Sequence, residues 1–159
     1  MDITPSVNPN SKIKLIGTEK NTYSYAMELK KQGKLDEAEH VLLSSCQPPS
    51  ILYKHYQQLF IIWRIFNKND LKNQKYTKTI HRIRTMILLN NQMIADLIQH
   101  CHTSYHRILP TAYFDIYNNF LVSDAETLLK AAEAINDTEN LKLAVKLINE
   151  FINKKRLKQ

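Results

Sequence analysis

From residue 19 onward, apolar side chains recur every three or four positions almost without interruption, a spacing that predicts α-helix. Ala26 and Leu29, then Leu35, Ala38 and Leu42, step across the break Gln32-Gly33-Lys34. Gly33 suits a helix end there, because it has no Cβ to oppose a left-handed turn. Pro48-Pro49 forces the next break, and Pro49 or Ser50 is expected to open the following helix. That helix carries Leu52, Tyr56, Leu59, Trp63 and Phe66 on one face, with Ile61, Ile62 and Ile65 on other sides. Apolar residues on several faces place it centrally. Asn67-Lys68-Asn69-Asp70 predicts a turn, after which Tyr76, Ile80, Ile83 and Ile87 share a face of a long helix running towards Asn90. Asn90-Asn91 either breaks that helix or bends it.

Leu109-Pro110 is a further boundary, since the residue before proline avoids the helical region. Ser123-Asp124-Ala125-Glu126 has the form of a capping box opening a helix with Ala125, Leu128, Leu129, Ala132 and Ile135 on one face. A last helix, with Leu141, Ala144, Val145, Ile148 and Phe151, runs into the basic end KKRLK, where cations complement the helix dipole. Residues 1–18 are polar and hold Pro5 and Pro9; a flexible tail is expected, with KIKLI extended. Nothing reads as sheet. The expectation is an all-α fold of about seven helices in one domain, residues 19–159.

Ala26, Leu29, Leu35, Ala38 and Leu42 lie at the same relative offsets as Ala132, Ile135, Leu141, Ala144 and Ile148. A small residue on each helix lets two antiparallel helices approach closely. The first copy, YAMELKKQGKLDEAEHVLL, resembles a tetratricopeptide repeat, matching that family's pattern at Ala26, Leu29, Gly33, Leu35, Ala38 and Leu42. The last copy has Glu139 where the family prefers glycine. Intermediate copies fail at Gln74, Lys78, Arg107 and Pro110. The resemblance implies hairpins stacked in a right-handed array, with the alternative of a non-repetitive helical bundle. It also implies a concave groove that binds a partner peptide, lined from the first unit by Lys20, Tyr23, Met27 and Lys30. From the second unit it would offer Tyr56, Leu59, Trp63 and Phe66, although large aromatics at helical spacing more often bury in a core.

Composition sharpens what this chain can do. Two glycines, Gly17 and Gly33, exclude glycine-rich phosphate loops, dinucleotide fingerprints and glycine-flanked nucleophile elbows. Basic residues outnumber acidic ones by 22 to 15, a net +7. Residues 64–107 hold eight basic groups against Asp70 and Asp96 alone, which points to an anionic partner. Lys72, Lys75 and Arg82 flank the buried face of their helix in a stripe that includes Lys68, Lys78 and Arg84. Phosphate contacts there would give salt-sensitive, sequence-tolerant binding to RNA or DNA, though no zinc-finger spacing or RNA-binding aromatic signature accompanies them.

His100-Cys101-His102 with His106 invites a metal, but on one helix His100 lies on the far side from His102, so these residues alone cannot converge. Cys46 and Cys101 are too few for a disulfide framework. No paired carboxylates or strained nucleophile turn support catalysis. The opening MDITPSVNPNSKIK lacks the apolar core of a signal peptide, and the longest apolar stretch, residues 59–66, is interrupted by Arg64. The sequence therefore predicts a cytoplasmic, non-enzymatic interaction protein, without cofactor, metal or membrane insertion. Its expected partner is a protein or peptide of acidic character, held by a helical groove and a basic face as an adaptor, chaperone or inhibitor would hold it. Nucleic acid bound at residues 68–84 is the alternative.

Overall fold

A computed structural model of the chain describes residues 19–47 and 50–157, apart from the side chains of residues 19–21, 111 and 112. The predicted tail over 1–18, its KIKLI segment included, lies outside those residues, as do Pro48 and Pro49. The described residues are helical and contain no strand. Among the described residues six α-helices follow one another: α1 (Glu19–Lys31), α2 (Leu35–Ser45), α3 (Tyr53–Lys72), α4 (Tyr76–Tyr105), α5 (Val122–Ala134) and α6 (Thr138–Leu157). A 3-10 helix, Thr111–Tyr117, lies between α4 and α5.

Three connections close in one way. Gly33, Gln74 and Asn136 sit in the left-handed region, with φ of 77, 60 and 57°. The amide after each donates back to the carbonyl five residues earlier: Lys34 to Leu29 at 2.9 Å, Lys75 to Asp70 at 2.8 Å, and Asp137 to Ala132 at 2.9 Å. Each left-handed residue's own amide bonds the carbonyl three before it, so two carbonyls left over at the helix end are satisfied. Only the first turn uses glycine. The turns are unevenly spaced, and Asn136, rather than Glu139, occupies the place of Gly33; asparagine tolerates the left-handed conformation better than most residues.

Several expected boundaries move, each for a visible reason. The helix after the proline pair starts at Tyr53, because Ser50 is held in the linker: its amide donates to Asp96 Oδ2 at 3.1 Å and its hydroxyl to the Ser45 carbonyl at 2.9 Å. Residues 67–70 are not a turn; α3 continues to Lys72 because the Asn67 and Asp70 side chains face a partner, Arg82, on α4. The helix runs unbroken through Asn90-Asn91 to Tyr105. It stops short of Leu109 because His106 turns left-handed, at φ 51°. Ser123 does not cap α5. The Leu121 amide donates instead to Asp124 Oδ2, at 2.9 Å.

The chain groups into two compact units, Met1–Ile62 with Asn91–Tyr117, and Trp63–Asn90 with Asn118–Gln159. In the first, α1 packs on α2 with Ala26 and Ala38 both fully buried, so no bulky side chain holds the two helices apart. Tyr56, Leu59, Phe60, Met93 and Phe114 complete that core. The Tyr56 hydroxyl donates to the Cys46 carbonyl at 3.0 Å.

In the second unit α5 packs on α6 through the buried Ala125, Ala131, Ala132 and Ala144, beside Leu128. Ile83 and Met86 of α4 are fully buried there too, and Phe120 stacks on Phe151 at 6.4 Å. Two polar nodes fix the segment that enters α5. Arg64 donates from Nε to Asp124 Oδ1 at 2.9 Å and from Nη2 to Oδ2 at 2.8 Å, and Nη2 also bonds the Asn119 carbonyl. Buried Asn90 accepts from the Asn119 amide at 2.9 Å and donates to Asn118 Oδ1 at 2.8 Å.

Asp124 thus caps a helix and pairs with a guanidinium while only 4% of its side chain is exposed. Asp124→Ala is expected to lower stability by about 3 kcal/mol, as for a broken buried ion pair, read as a lower urea midpoint at unchanged slope. Gly33→Ala should cost about 1 kcal/mol of left-handed strain and no more, since a Cβ there meets nothing within 4 Å. Gln74→Gly in the equivalent position should be neutral or stabilising in the same assay.

Candidate functional site

The α1 face expected to line an open groove is engaged inside its own unit. Tyr23 packs edge-on against His55 of α3 at 5.4 Å, and Lys30 Nζ donates to Gln58 Oε1 at 3.0 Å. Met27 is half-buried, and the side chain of Lys20 lies outside the described residues. Tyr56, Leu59 and Trp63 are core, and Phe66 is half-buried beneath the guanidinium of Arg82. The part of the expected groove drawn from the second repeat is therefore packing surface.

The basic stripe divides. Arg82 is committed internally: Nη1 bonds Asp70 Oδ2 at 2.8 Å and Asn67 Oδ1 at 2.9 Å, while the guanidinium lies 5.5 Å from the Phe66 ring centre. Arg84 Nη1 donates to Asn140 Oδ1 of α6 at 2.9 Å. Lys72 and Lys75 are exposed, as are Lys68 and Lys78. Sorted by compact unit, the charge separates completely. Residues 1–62 and 91–117 carry eight basic and eight acidic side chains, whereas residues 63–90 and 118–159 carry fourteen and seven.

The first unit holds a concavity that the helical periodicity did not announce. Beyond Tyr105, left-handed His106 redirects the chain, and the Arg107 amide returns to the Cys101 carbonyl at 3.2 Å. Pro110 then opens the 3-10 helix, its carbonyl accepting from the Tyr113 amide at 2.9 Å. Buried Phe114 anchors that helix, and Tyr117 packs edge-on against Tyr53 at 5.3 Å. The result is a cavity of about 510 Å³ lined by Leu97, Cys101, Tyr105, Arg107, Leu109, Tyr113, Phe114 and Tyr117. Arg107 is its sole charged lining residue. Of its lining residues, Tyr105 and Tyr113 are 63 and 54% exposed, and Ile108 and Ile116 of the same segment are 85 and 69% exposed. Four aromatics within residues 105–117 were the signal in the sequence; the fold needed to gather them is not periodic, so spacing could not order them.

The histidines do not converge. His100 packs edge-on against Tyr105 at 5.4 Å and lies 3.2 Å from Ser104 Oγ. Among the described residues no three His, Cys, Asp or Glu side chains are grouped to hold a metal ion. A shallow depression along α6, lined by Leu141, Val145, Lys146 and Asn149 among others, belongs to a single helix face. No helix among the described residues is long and apolar enough to cross a membrane.

The two thiols differ in kind. Cys46 is fully buried, and that burial pushes its thiol up to about 12. Tyr56 is likewise pushed up to about 12, by burial first and by the neighbouring Cys46 second. Cys101, in contrast, is half-exposed at the cavity wall. Ellman titration of the native protein at pH 8 should therefore release one thiol equivalent promptly, lost in Cys101→Ser, with the second appearing only in denaturant.

Compared with known proteins, this chain matches no family model, and neither a curated protein nor a solved structure matches it.

Proposed function

We propose that this chain is a non-enzymatic interaction protein whose first unit docks a protein or peptide partner over the cavity of residues 97–117. One observation carries the proposal: two exposed tyrosines line a concavity walled by tyrosine, phenylalanine and leucine, and the segment that forms it also exposes Ile108 and Ile116. Water-exposed apolar surface gathered in one place is unfavourable for a free chain and favourable for a complex that covers it. Tyrosine and arginine are also the residues that most often dominate binding energy, because they combine large contact area with a polar end. Arg107, alone in its charge among the lining residues, suits an acidic group on the partner. The resemblance of α1–α2 to a tetratricopeptide hairpin belongs to this proposal as scaffold: a rigid helix pair that supports α3 and hence Tyr53 against Tyr117.

The alternative surface on α1 is weaker, since Tyr23 and Lys30 already have partners on α3. Affinity capture after nuclease treatment, followed by binding measurements on the recovered partner, decides between the two. Tyr105→Ala with Tyr113→Ala should weaken binding at least thirtyfold, or about 2 kcal/mol. Met27→Ala should leave it within threefold. The reverse pattern moves the docking face to α1, and loss in neither variant removes the proposal.

A further inference from the structure

We infer that the connection between α3 and α4 is a second, separate binding surface, made for the phosphodiester backbone of duplex nucleic acid. Its side chains are of one chemical kind. Lys68 and Lys72 at the end of α3, Lys75 in the turn and Lys78 in the first turn of α4 are all exposed. Between them stand the exposed amides of Asn69, Asn73 and Gln74.

The charge is uncompensated because the fold has removed the only local acid. Asp70 is the sole carboxylate between residues 64 and 95, and it is buried against Arg82 at 2.8 Å. Neither the Arg64–Asp124 nor the Arg82–Asp70 ion pair involves any of the four lysines. Helix electrostatics explains only one of them. Lys72 complements the negative C-terminal end of α3 and Lys68 lies just before its last turn, but Lys75 and Lys78 sit at the positive start of α4, whose first turn holds no acid. Each of those two placements opposes the dipole by a few tenths of a kcal/mol or more. Intramolecular stability gives no reason for them, and an external anion does.

The type of anion follows from what the surface lacks. A membrane-binding patch joins its cations to apolar side chains or to an adjoining membrane-crossing helix, of which the described residues have none, and a protein interface needs apolar or aromatic anchors at its centre. Here Leu71 and Tyr76 are half-buried, and every exposed residue from 68 to 78 is polar. Single-stranded nucleic acid is held mainly by stacking on exposed aromatics, and none is present. Lysines that meet phosphates, flanked by amides that meet sugar and groove edges, are what remains, and they fit a duplex bound with little sequence preference. The surface also lies in the unit that carries all of the net charge, so long-range attraction and local contact act together.

The test uses the full chain and a fluorescein-labelled 16-base-pair duplex of arbitrary sequence, with anisotropy followed from 50 to 200 mM KCl. Four phosphate contacts predict a logarithmic salt slope of about 3.6, roughly a hundredfold loss of affinity over that range. Lys72→Gln with Lys75→Gln should reduce the slope by about 2, since each lost contact removes about 0.9. The charge-matched pair Lys142→Gln with Lys146→Gln, exposed on α6, should leave it within 0.5 of the parent. Circular dichroism confirms that all variants stay helical. Equal effects from both pairs would show attraction to overall charge and overturn the inference. So would absence of duplex binding at 50 mM KCl, or stronger binding to vesicles containing phosphatidylserine or to polyglutamate than to the duplex. Because none of these residues lines the cavity of the first unit, partner docking there can fail without affecting this result.

Discussion

Each hairpin here depends on one residue held in the left-handed region, where the amide that follows can reach back five positions and close the helix end. With glycine at only one of the three turns, the chain accepts side-chain strain at Gln74 and Asn136 in return for a sharp reversal. The reversal then determines which residues stand at the helix ends. At the turn of α3 into α4 those are lysines and amides; at the turn of α5 into α6 they include Asp137, whose carboxyl is held below the usual range by the side chain and amide of Asn140. The left-handed residue at the end of α4, His106, closes one position wider, with its bond six residues back, and leads out of the helix into the 3-10 segment.

Polar groups taken into the interior do a different job. Arg64–Asp124, Arg82–Asp70 and Asn90 with residues 118 and 119 are all directional contacts within the second unit. Apolar helix faces slide against each other at little cost, whereas a buried carboxylate left without its guanidinium is strongly unfavourable. Any packing that separates these partners is therefore penalised. They also alter the outside of the molecule. By taking Asp70 inward, Arg82 leaves the neighbouring lysines without a counter-charge. The first unit, neutral in sum, presents aromatic surface instead. The two surfaces therefore differ in what can bind them, the one through desolvation and the other through charge.

Much of the helical framework could be read from spacing. Ala26, Leu29, Ala38 and Leu42 are buried where the period of three and four places them, and Gly33 ends α1. Trp63 packs as a large aromatic at helical spacing usually does. The expected boundaries at residues 50, 67–70 and 123 differ from the observed ones for one shared reason: in each case a side chain with the form of a local breaker or cap is bonded elsewhere or bypassed. Ser50 bonds Asp96, Asn67 and Asp70 bond Arg82, and Asp124 displaces Ser123 as the capping group. The cavity lay beyond reach because a 3-10 helix following a left-handed residue leaves no regular period.

The sequence alone determined the helical class, the identity of most core faces and the excess of positive charge, because each depends on residues within a few positions of one another. Which of those charges face water was decided only by tertiary structure. Arg64 and Asp124 are 60 residues apart, Arg84 and Asn140 56 apart, and Lys30 and Gln58 28 apart. A side chain's availability depends on the face that packs against it, and that face belongs to another helix.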